Sequence, residues 1–221
     1  MRATIGISAL GTLTALVALS GLAVPAAAQH AAHGGGQLPA GWHGRVDRAN
    51  QNIADVQFMR MGESFHVVTG PHVILWNPER TATGQYRASV TYTQARTPER
   101  LEGYGLFVGG RNLNEPTQDY LYFLIRHDGR YMIRHRAGAE VHTLADWTEA
   151  PAVRRASATD RAENTLAIEA GAERVVFLIN GTEVRAFDRV PMLNTDGVAG
   201  FRVGHHLDVQ MRDVRIEPLG Q

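Results

Sequence analysis

The sequence contains neither cysteine nor lysine. Without cysteine there are no disulfide bonds, thiolate metal sites, cysteine nucleophiles or lipid anchors on an amino-terminal cysteine. Without lysine there is no phosphate-binding P-loop, and the Gly-x-Ser-x-Gly turn of serine hydrolases is missing too. The 22 basic residues are therefore all arginine, and 22 acidic residues balance them. Because no excess positive charge is left to hold a phosphate backbone, we expect no nucleic-acid partner.

The amino-terminal segment has the layout of a secretory signal peptide. A short positive start is followed by an uncharged run, Ile5 to Val24, and by the small-residue triplet Ala26–Ala28. A retained membrane anchor is the alternative, since about 20 apolar residues can span a bilayer. Glycine and serine dilute the run and the triplet ends it, which favours cleavage. We predict a signal peptide at 1–28, a flexible leader at 29–41, and an extracytoplasmic (periplasmic or secreted) protein without a membrane partner after cleavage.

From Gly62 onward the hydrophobic pattern has the period of two that is typical of β-strands. In the run Gln85–Thr93, tyrosine, alanine and valine alternate with arginine, serine and threonine. Tight-turn dipeptides such as Asn180-Gly181 separate the runs. This pattern predicts roughly a dozen short strands in a single all-β domain, residues 42–221, folded as two packed sheets or a barrel.

Several blocks between Tyr104 and Glu217 occur in the order of a known superfamily: GLFVGG, DYLYFLIRHDGRYMIRHRAG, the tryptophan of LADW, ERVVFLINGTEV and GVAGFRVG. This part of the chain resembles the concanavalin A-like lectin and glucanase superfamily, in the laminin-G-like branch that includes 3-keto-disaccharide hydrolase domains. The resemblance implies a jelly-roll β-sandwich of two curved antiparallel sheets. It also implies a sugar bound across the concave face or at its rim.

Two departures from the superfamily bear on activity. Laminarinase-type members carry two glutamates and a further carboxylate on one strand, but no glutamate here has an aspartate two positions later. Retaining glycosidases need two carboxyl groups about 5 to 5.5 Å apart, so we do not expect that chemistry on one strand. The last strand has Arg212-Asp213 where many relatives have Asp-Asn, and we therefore expect no calcium site that depends on that aspartate.

Aromatic, amide and basic residues lie in or beside the predicted strands. Sugars have C–H faces that stack on aromatic rings and hydroxyl groups that need paired donors and acceptors, so a sugar site mixes these residue types. The alternative is that Trp76, Tyr104 and Tyr122 are core or sheet-covering aromatics and that Arg126 is a solvated strand residue. The candidate ligand-binding residues are Trp76, Asn77, Tyr104, Arg111, Asn112, Tyr120, Tyr122, Arg126 and His127.

Histidine, a common metal ligand and general base, is frequent in this chain. His127 and His135 flank a predicted hairpin and could approach each other, but no spacing names a third metal ligand. His205-His206 would place one ring on each sheet face, which argues against a joint site. Exposed or hydrogen-bonded histidines are the competing interpretation. The residues in question are His66, His72, His127, His135, His142, His205 and His206.

Cofactors are not indicated by any motif, and calcium is the one ion with a candidate site. Asn112, Asn114, Glu115 and Asp119 gather the oxygen ligands that calcium prefers, although this is not an EF-hand loop. A polar surface loop explains the same residues. No catalytic residue is assigned.

Three functions remain open at this point. The first is a secreted carbohydrate-binding protein with a glycan or oligosaccharide held on the concave sheet face. The second is a glycoside-cleaving enzyme resembling 3-keto-disaccharide hydrolases. The third is a structural or adhesion domain that binds protein. We expect binding, because no catalytic motif is visible, and a histidine with a carboxylate converging in a cleft would favour the enzyme.

Overall fold

The structure of the chain is a computed structural model. Apart from Met1, the predicted signal peptide and most of the predicted leader lie outside the described residues. At the end of that leader, Leu38 packs against the core and Pro39 is buried. No helix in the described part of the chain is long and apolar enough to cross a membrane. The described residues are Met1, 38–94, 97–157 and 160–219.

The described residues form fifteen strands and one short 3-10 turn, Ile53–Asp55. The sequence predicts roughly a dozen strands in this domain, and the structure has fifteen. In chain order the strands are β1 (His43–Val46), β2 (Val56–Met61), β3 (Ser64–Thr69), β4 (Val73–Ala82), β5 (Tyr86–Gln94), β6 (Gly103–Arg111), β7 (Asp119–Arg126), β8 (Arg130–Ala137), β9 (Glu140–Glu149), β10 (Ala162–Ala170), β11 (Arg174–Ile179), β12 (Thr182–Asp188), β13 (Gly197–Val203), β14 (Asp208–Arg212) and β15 (Arg215–Pro218).

Two antiparallel sheets contain these strands. The seven-stranded sheet has the order β1-β4-β13-β6-β7-β8-β9. The eight-stranded sheet has the order β12-β11-β10-β5-β14-β3-β2, and β15 also pairs with β5. The predicted all-β sandwich is confirmed. In the seven-stranded sheet, β13 lies between β4 and β6, so the end of β13 meets the beginnings of both neighbours.

The main core lies between the two sheets. On β5 the alternation seen in the sequence buries Tyr86, Ala88, Val90 and Tyr92, which are at most 3% exposed. Rings from opposite sheets meet there, as Phe123 of β7 and Phe177 of β11 do at 5.4 Å between centroids. Burial of such a continuous apolar layer is the main favourable contribution to the stability of a fold of this kind.

The β11–β12 hairpin has the predicted tight turn. Ile179 pairs with Thr182, and Asn180 and Gly181 between them have φ values of +53° and +82°. Positive φ at both central residues is what a type I′ turn requires. The Asn180 side chain also accepts a hydrogen bond from the Thr165 amide at 2.9 Å. The turn therefore fixes its own hairpin and anchors it to the adjacent strand β10.

Candidate functional site

The seven-stranded sheet buries side chains on both of its faces. On β4, Leu75 points into the core between the sheets and Trp76 points away from it. On β7, Phe123 points into the core between the sheets and Tyr122 points away from it. We call the surface opposite the core the outer face. Its buried apolar residues are Ile74, Trp76, Phe107, Leu113, Tyr120, Tyr122, Leu124 and Met132.

Glycines on β6 and β13 make room for the rings of the outer face. A Cβ atom at Gly103 would lie 2.7 Å from Cη2 of Trp147. A Cβ atom at Gly200 would lie 2.7 Å from the ring of Phe107. Real Cβ contacts are not this short, so both rings lie against bare backbone. The outer face is therefore a second packed layer on the sheet.

A buried ion pair lies at one side of the outer face. Arg202 on β13 is only 7% exposed and donates to both carboxylate oxygens of Asp47, at 3.0 and 2.6 Å. It also donates to the hydroxyl of Tyr120 at 3.0 Å. Burial by itself would raise the pKa of Asp47, but the charge and hydrogen bonds of Arg202 outweigh it and lower this pKa to about 2. Asp47 is thus ionised at neutral pH and compensates the buried guanidinium.

Arginines and one tryptophan form the accessible part of the outer face. The guanidinium carbon of Arg126 lies 4.4 Å from the ring centroid of Trp147, a cation–π distance. Arg126 also donates to Asp128 at 2.7 Å. Because side chains alternate along β8, further arginines lie on the same side as Met132. These half-buried residues are Arg130, Arg134 and Arg136.

Four of the residues predicted to bind ligand come together on the outer face. Trp76, Tyr120 and Tyr122 belong to its apolar layer, and Arg126 continues the same side of β7. The three rings are only 4%, 1% and 3% exposed, respectively. With so little free surface they pack as sheet-covering aromatics, and a sugar has no open ring to stack on there. Half-exposed Trp147, which the sequence reasoning did not assign to a site, is the more accessible ring.

The structure places the other five candidates away from this layer. Tyr104 lies in the core between the sheets, with its ring 5.2 Å from Tyr92. A side chain there cannot reach a ligand on the outer face. The buried amide of Asn77 accepts from the Glu79 amide at 3.0 Å, which gives it a local role in the backbone of β4. The remaining three lie in or beside the connections at the two ends of β7: Arg111, Asn112 and His127.

Histidine and glutamate side chains converge at one end of the seven-stranded sheet. His72 precedes β4, Glu102 precedes β6 and His205 follows β13, so three neighbouring strands bring them together. Nε2 of His72 lies 3.7 Å from one oxygen of Glu102, and Nδ1 of His205 lies 3.4 Å from the other. Burial, followed by the nearby Arg202 charge, lowers the pKa of His72 to about 4. We call these three residues the histidine–glutamate cluster.

The histidine pairs considered from the sequence are not the ones that form. His135 lies 3.2 Å from Asp119 and its ring is 6.0 Å from that of His142 on the neighbouring strand, whereas His127 is in the turn at the other end of β8. The ring of His205 contacts that of His72, a residue far away in sequence, and the local sequence around His205 does not predict this contact.

The residues considered for calcium from the sequence have other contacts in the structure, and a calcium site there stays a prediction. In the part of the chain that is described, the histidine–glutamate cluster is the one group of three histidine, cysteine, aspartate or glutamate side chains close enough to share an ion. Asp119 and Glu115 are not in it, and Asp119 lies 3.7 Å from the guanidinium of Arg111. Asp213 accepts from Arg80 at 2.7 Å. Calcium takes six to eight oxygen ligands, so a site at Asp119 would need amide and backbone oxygens in addition to this carboxylate.

Comparison with solved structures identifies the architecture. A carbohydrate-binding module from Bacillus subtilis, CBM66, superposes with a TM-score of 0.58 at 10% identity, over 80% of this chain and 95% of that one. A Bacillus subtilis protein described as having a galectin-like fold gives 0.57 at 14% identity, over 80% and 89%. The exoplasmic/lumenal domain of VIP36, solved with Ca²⁺ and Man3GlcNAc, gives 0.54 at 11% identity, over 82% and 85%.

This chain has the concanavalin A-like lectin fold. The expectation drawn from the ordered sequence blocks is thereby confirmed for the fold, while the laminin-G-like branch stays a prediction. No protein-family model matches the sequence, and no curated protein matches it. Within a concanavalin A-like sandwich, function depends on the particular side chains, because one fold supports many activities.

Proposed function

We propose that this protein is an exported carbohydrate-binding protein that holds glycan on the outer face of the seven-stranded sheet. The observation that carries the proposal is the accessible part of that face, where the guanidinium of Arg126 lies over the ring of partly buried Trp147 and further arginines lie on the same face of β8. The fold supports it, because solved relatives in fold include a carbohydrate-binding module and a lumenal domain bound to Man3GlcNAc. The signal-peptide pattern of residues 1–28 supports export.

The chemistry of the face suits a sugar. The indole of Trp147 offers an apolar surface for sugar C–H groups, and Arg126 lies against it as a rigid donor. Guanidinium groups hold two donors in a fixed geometry that matches vicinal hydroxyls, and their carboxylate partners supply acceptors. The buried rings of Trp76, Tyr120 and Tyr122 act as the floor that positions these groups. Preorganised side chains of this kind bind with a smaller entropic cost.

A glycan array followed by titration of the best ligand tests the proposal. Trp147→Ala and Arg126→Ala each remove one half of the stacked pair, and we expect each to weaken binding at least about tenfold, roughly 1.4 kcal/mol. Arg185→Ala is the matched control, because Arg185 also lies over an aromatic ring, that of Phe187 at 5.2 Å, but on the other sheet. Its affinity should stay within about twofold of the wild type. Equal losses in all three variants would contradict a site on the outer face.

A glycoside-cleaving enzyme is the second candidate, and the histidine–glutamate cluster favours it. Two imidazoles and a carboxylate converge beside a cleft that His205, His206 and Arg100 line. Such a group can act as general acid and base. Incubation with glycosides, 3-keto-disaccharides among them, followed by mass spectrometry separates the two functions. Binding without new products supports the first, and products lost in His205→Asn support the second.

A further inference from the structure

The contacts within the histidine–glutamate cluster are long for hydrogen bonds between histidine and carboxylate. Charge-assisted N–H···O bonds are about 2.7 to 2.9 Å long. His66 and Asp208, a histidine–carboxylate pair on the eight-stranded sheet, have this length at 2.7 Å. In the cluster both imidazole nitrogens lie farther from the carboxylate, at 3.7 and 3.4 Å. His205 makes one long hydrogen bond to Glu102, and the ring centroids of His72 and His205 are 3.6 Å apart.

The same spacing is that of ligands around a small metal ion. Zinc binds nitrogen and oxygen at about 2.0 to 2.2 Å, which in a tetrahedral site places neighbouring ligand atoms about 3.4 Å apart. One ligand atom from each residue of the cluster lies within 4.8 Å of the other two. Nε2 of His72 is paired with one oxygen of Glu102 and Nδ1 of His205 with the other, so each imidazole has a carboxylate oxygen beside it.

The fold makes a specific space for this carboxylate. A Cβ atom at Gly204 would lie 2.8 Å from Oε2 of Glu102 and 2.8 Å from the carbonyl oxygen of Gly103, so glycine leaves room for both groups. The amide of Gly204 donates to the carbonyl of Gly103 at 2.8 Å, and its carbonyl accepts from the hydroxyl of buried Thr69. These bonds hold the end of β13, and with it His205, against the beginning of β6. Backbone hydrogen bonds thus fix the connection that carries His205 beside the one that carries Glu102.

We propose that His72, Glu102 and His205 bind one divalent transition-metal ion of the zinc class. Two imidazole nitrogens and one carboxylate are the donors of such ions, whereas calcium takes oxygen ligands alone. Three protein ligands leave a coordination position for water or a ligand. The cleft beside His205 gives that position a route to solvent. The proposal is independent of glycan binding, because the cluster lies beyond the strand ends and the glycan residues lie on the outer face.

Cobalt(II) titration of the metal-depleted full-length protein tests the site, because bound cobalt absorbs in the visible range and zinc displaces it. We expect one cobalt per chain, and at least tenfold weaker binding in His72→Asn and in His205→Asn. His66→Asn is the matched control and should bind like the wild type. Should His72→Asn fail to fold, because His72 is half-buried, His205→Asn in the loop after β13 gives the result on its own.

The alternatives give different results. His30 and His33, in the sequence near the predicted mature terminus, could also hold a metal ion. Cobalt that binds equally to the wild type and to His205→Asn would then be held elsewhere, and the proposal would be overturned. No cobalt band in the wild type would overturn it as well. A rise in melting temperature with zinc in the wild type, absent in His205→Asn, would support it without any assay of glycan binding or cleavage.

Discussion

Removing the charge of Asp47 should destabilise the protein far more than removing a typical surface charge. Arg202 is buried in the outer face, and Asp47 is the carboxylate that both of its terminal nitrogens contact. In Asp47→Asn the guanidinium stays buried without its counter-ion. Breaking a buried pair by removing one partner costs about 3 to 5 kcal/mol, because the remaining charge is desolvated without compensation.

The lowered pKa of Asp47 gives a second measure of how much the ion pair stabilises the folded protein. Arg202 holds this pKa at about 2, against an ordinary value of 3.8. At about 1.4 kcal/mol per pH unit, the ionised carboxylate is stabilised in the folded state by roughly 2 kcal/mol. Together with the cost of breaking a buried pair, this predicts that Asp47→Asn lowers the free energy of unfolding by about 3 kcal/mol. For a domain of this size that is about 6 to 12 °C in melting temperature.

Urea unfolding of the variant and a matched control measures the effect. Glu183→Gln removes the carboxylate of an exposed pair, Arg174–Glu183, whose side chains are 57% and 51% exposed, and should cost less than about 1 kcal/mol. The double variant Asp47→Asn with Arg202→Met should recover part of the loss, since it removes the unpaired charge. The reasoning is refuted if Asp47→Asn costs no more than Glu183→Gln.

Acid should remove the stability that the ionised carboxylate of Asp47 contributes. The folded-state pKa of Asp47 lies below its unfolded-state value, so the unfolded protein takes up the proton first as the pH falls. The stability that Asp47 contributes is therefore complete above about pH 3.8 and is lost as the pH falls toward about 2. The difference in stability between the wild type and Asp47→Asn should shrink over that interval, and a difference that stays constant would contradict this origin.

Two further predictions concern the turn and the amino terminus. Gly181→Val should lower stability by about 1 to 3 kcal/mol, because a β-branched residue is forced to φ +82° while no atom of the described residues lies within 4 Å of its Cβ. Gly181→Asn should cost clearly less, and equal melting temperatures for the two would exclude backbone strain as the cause. Amino-terminal sequencing of the exported protein should begin at or near Gln29, and a sequence beginning at Met1 would indicate an anchor instead.

Alternation along the chain was enough to predict which neighbours share a sheet face. Strand β5 follows it, and the turn at Asn180-Gly181 has the φ signs that its dipeptide predicted. The same rule could have removed Tyr104 from the candidate site. On β6, Tyr104 alternates in step with Leu106, which faces the core, while Gly103 and Phe107 face the other way. Tyr104 is a candidate because it is aromatic, but its place in the alternation of β6 indicates that it is buried in the core.

The order of strands was not predictable, and the polar sites depend on it. Asp47 and Arg202 are 155 positions apart in sequence, and their contact exists because β1 and β13 both pair with β4. The histidine–glutamate cluster likewise needs β13 between β4 and β6. Local patterns report side-chain direction and turns, whereas long-range pairing depends on how both sheets bury their apolar faces.

Glycines explain why the aromatic residues predicted to bind ligand pack as a layer in the structure. Gly103 and Gly200 count as weak strand residues, since glycine loses more backbone entropy on folding than any other residue. Their missing side chains let Trp147 and Phe107 approach the backbone. The aromatics thereby become a rigid support instead of an exposed stacking surface. A ligand on this face must therefore contact the accessible part of Trp147 and the guanidinium groups on the same face.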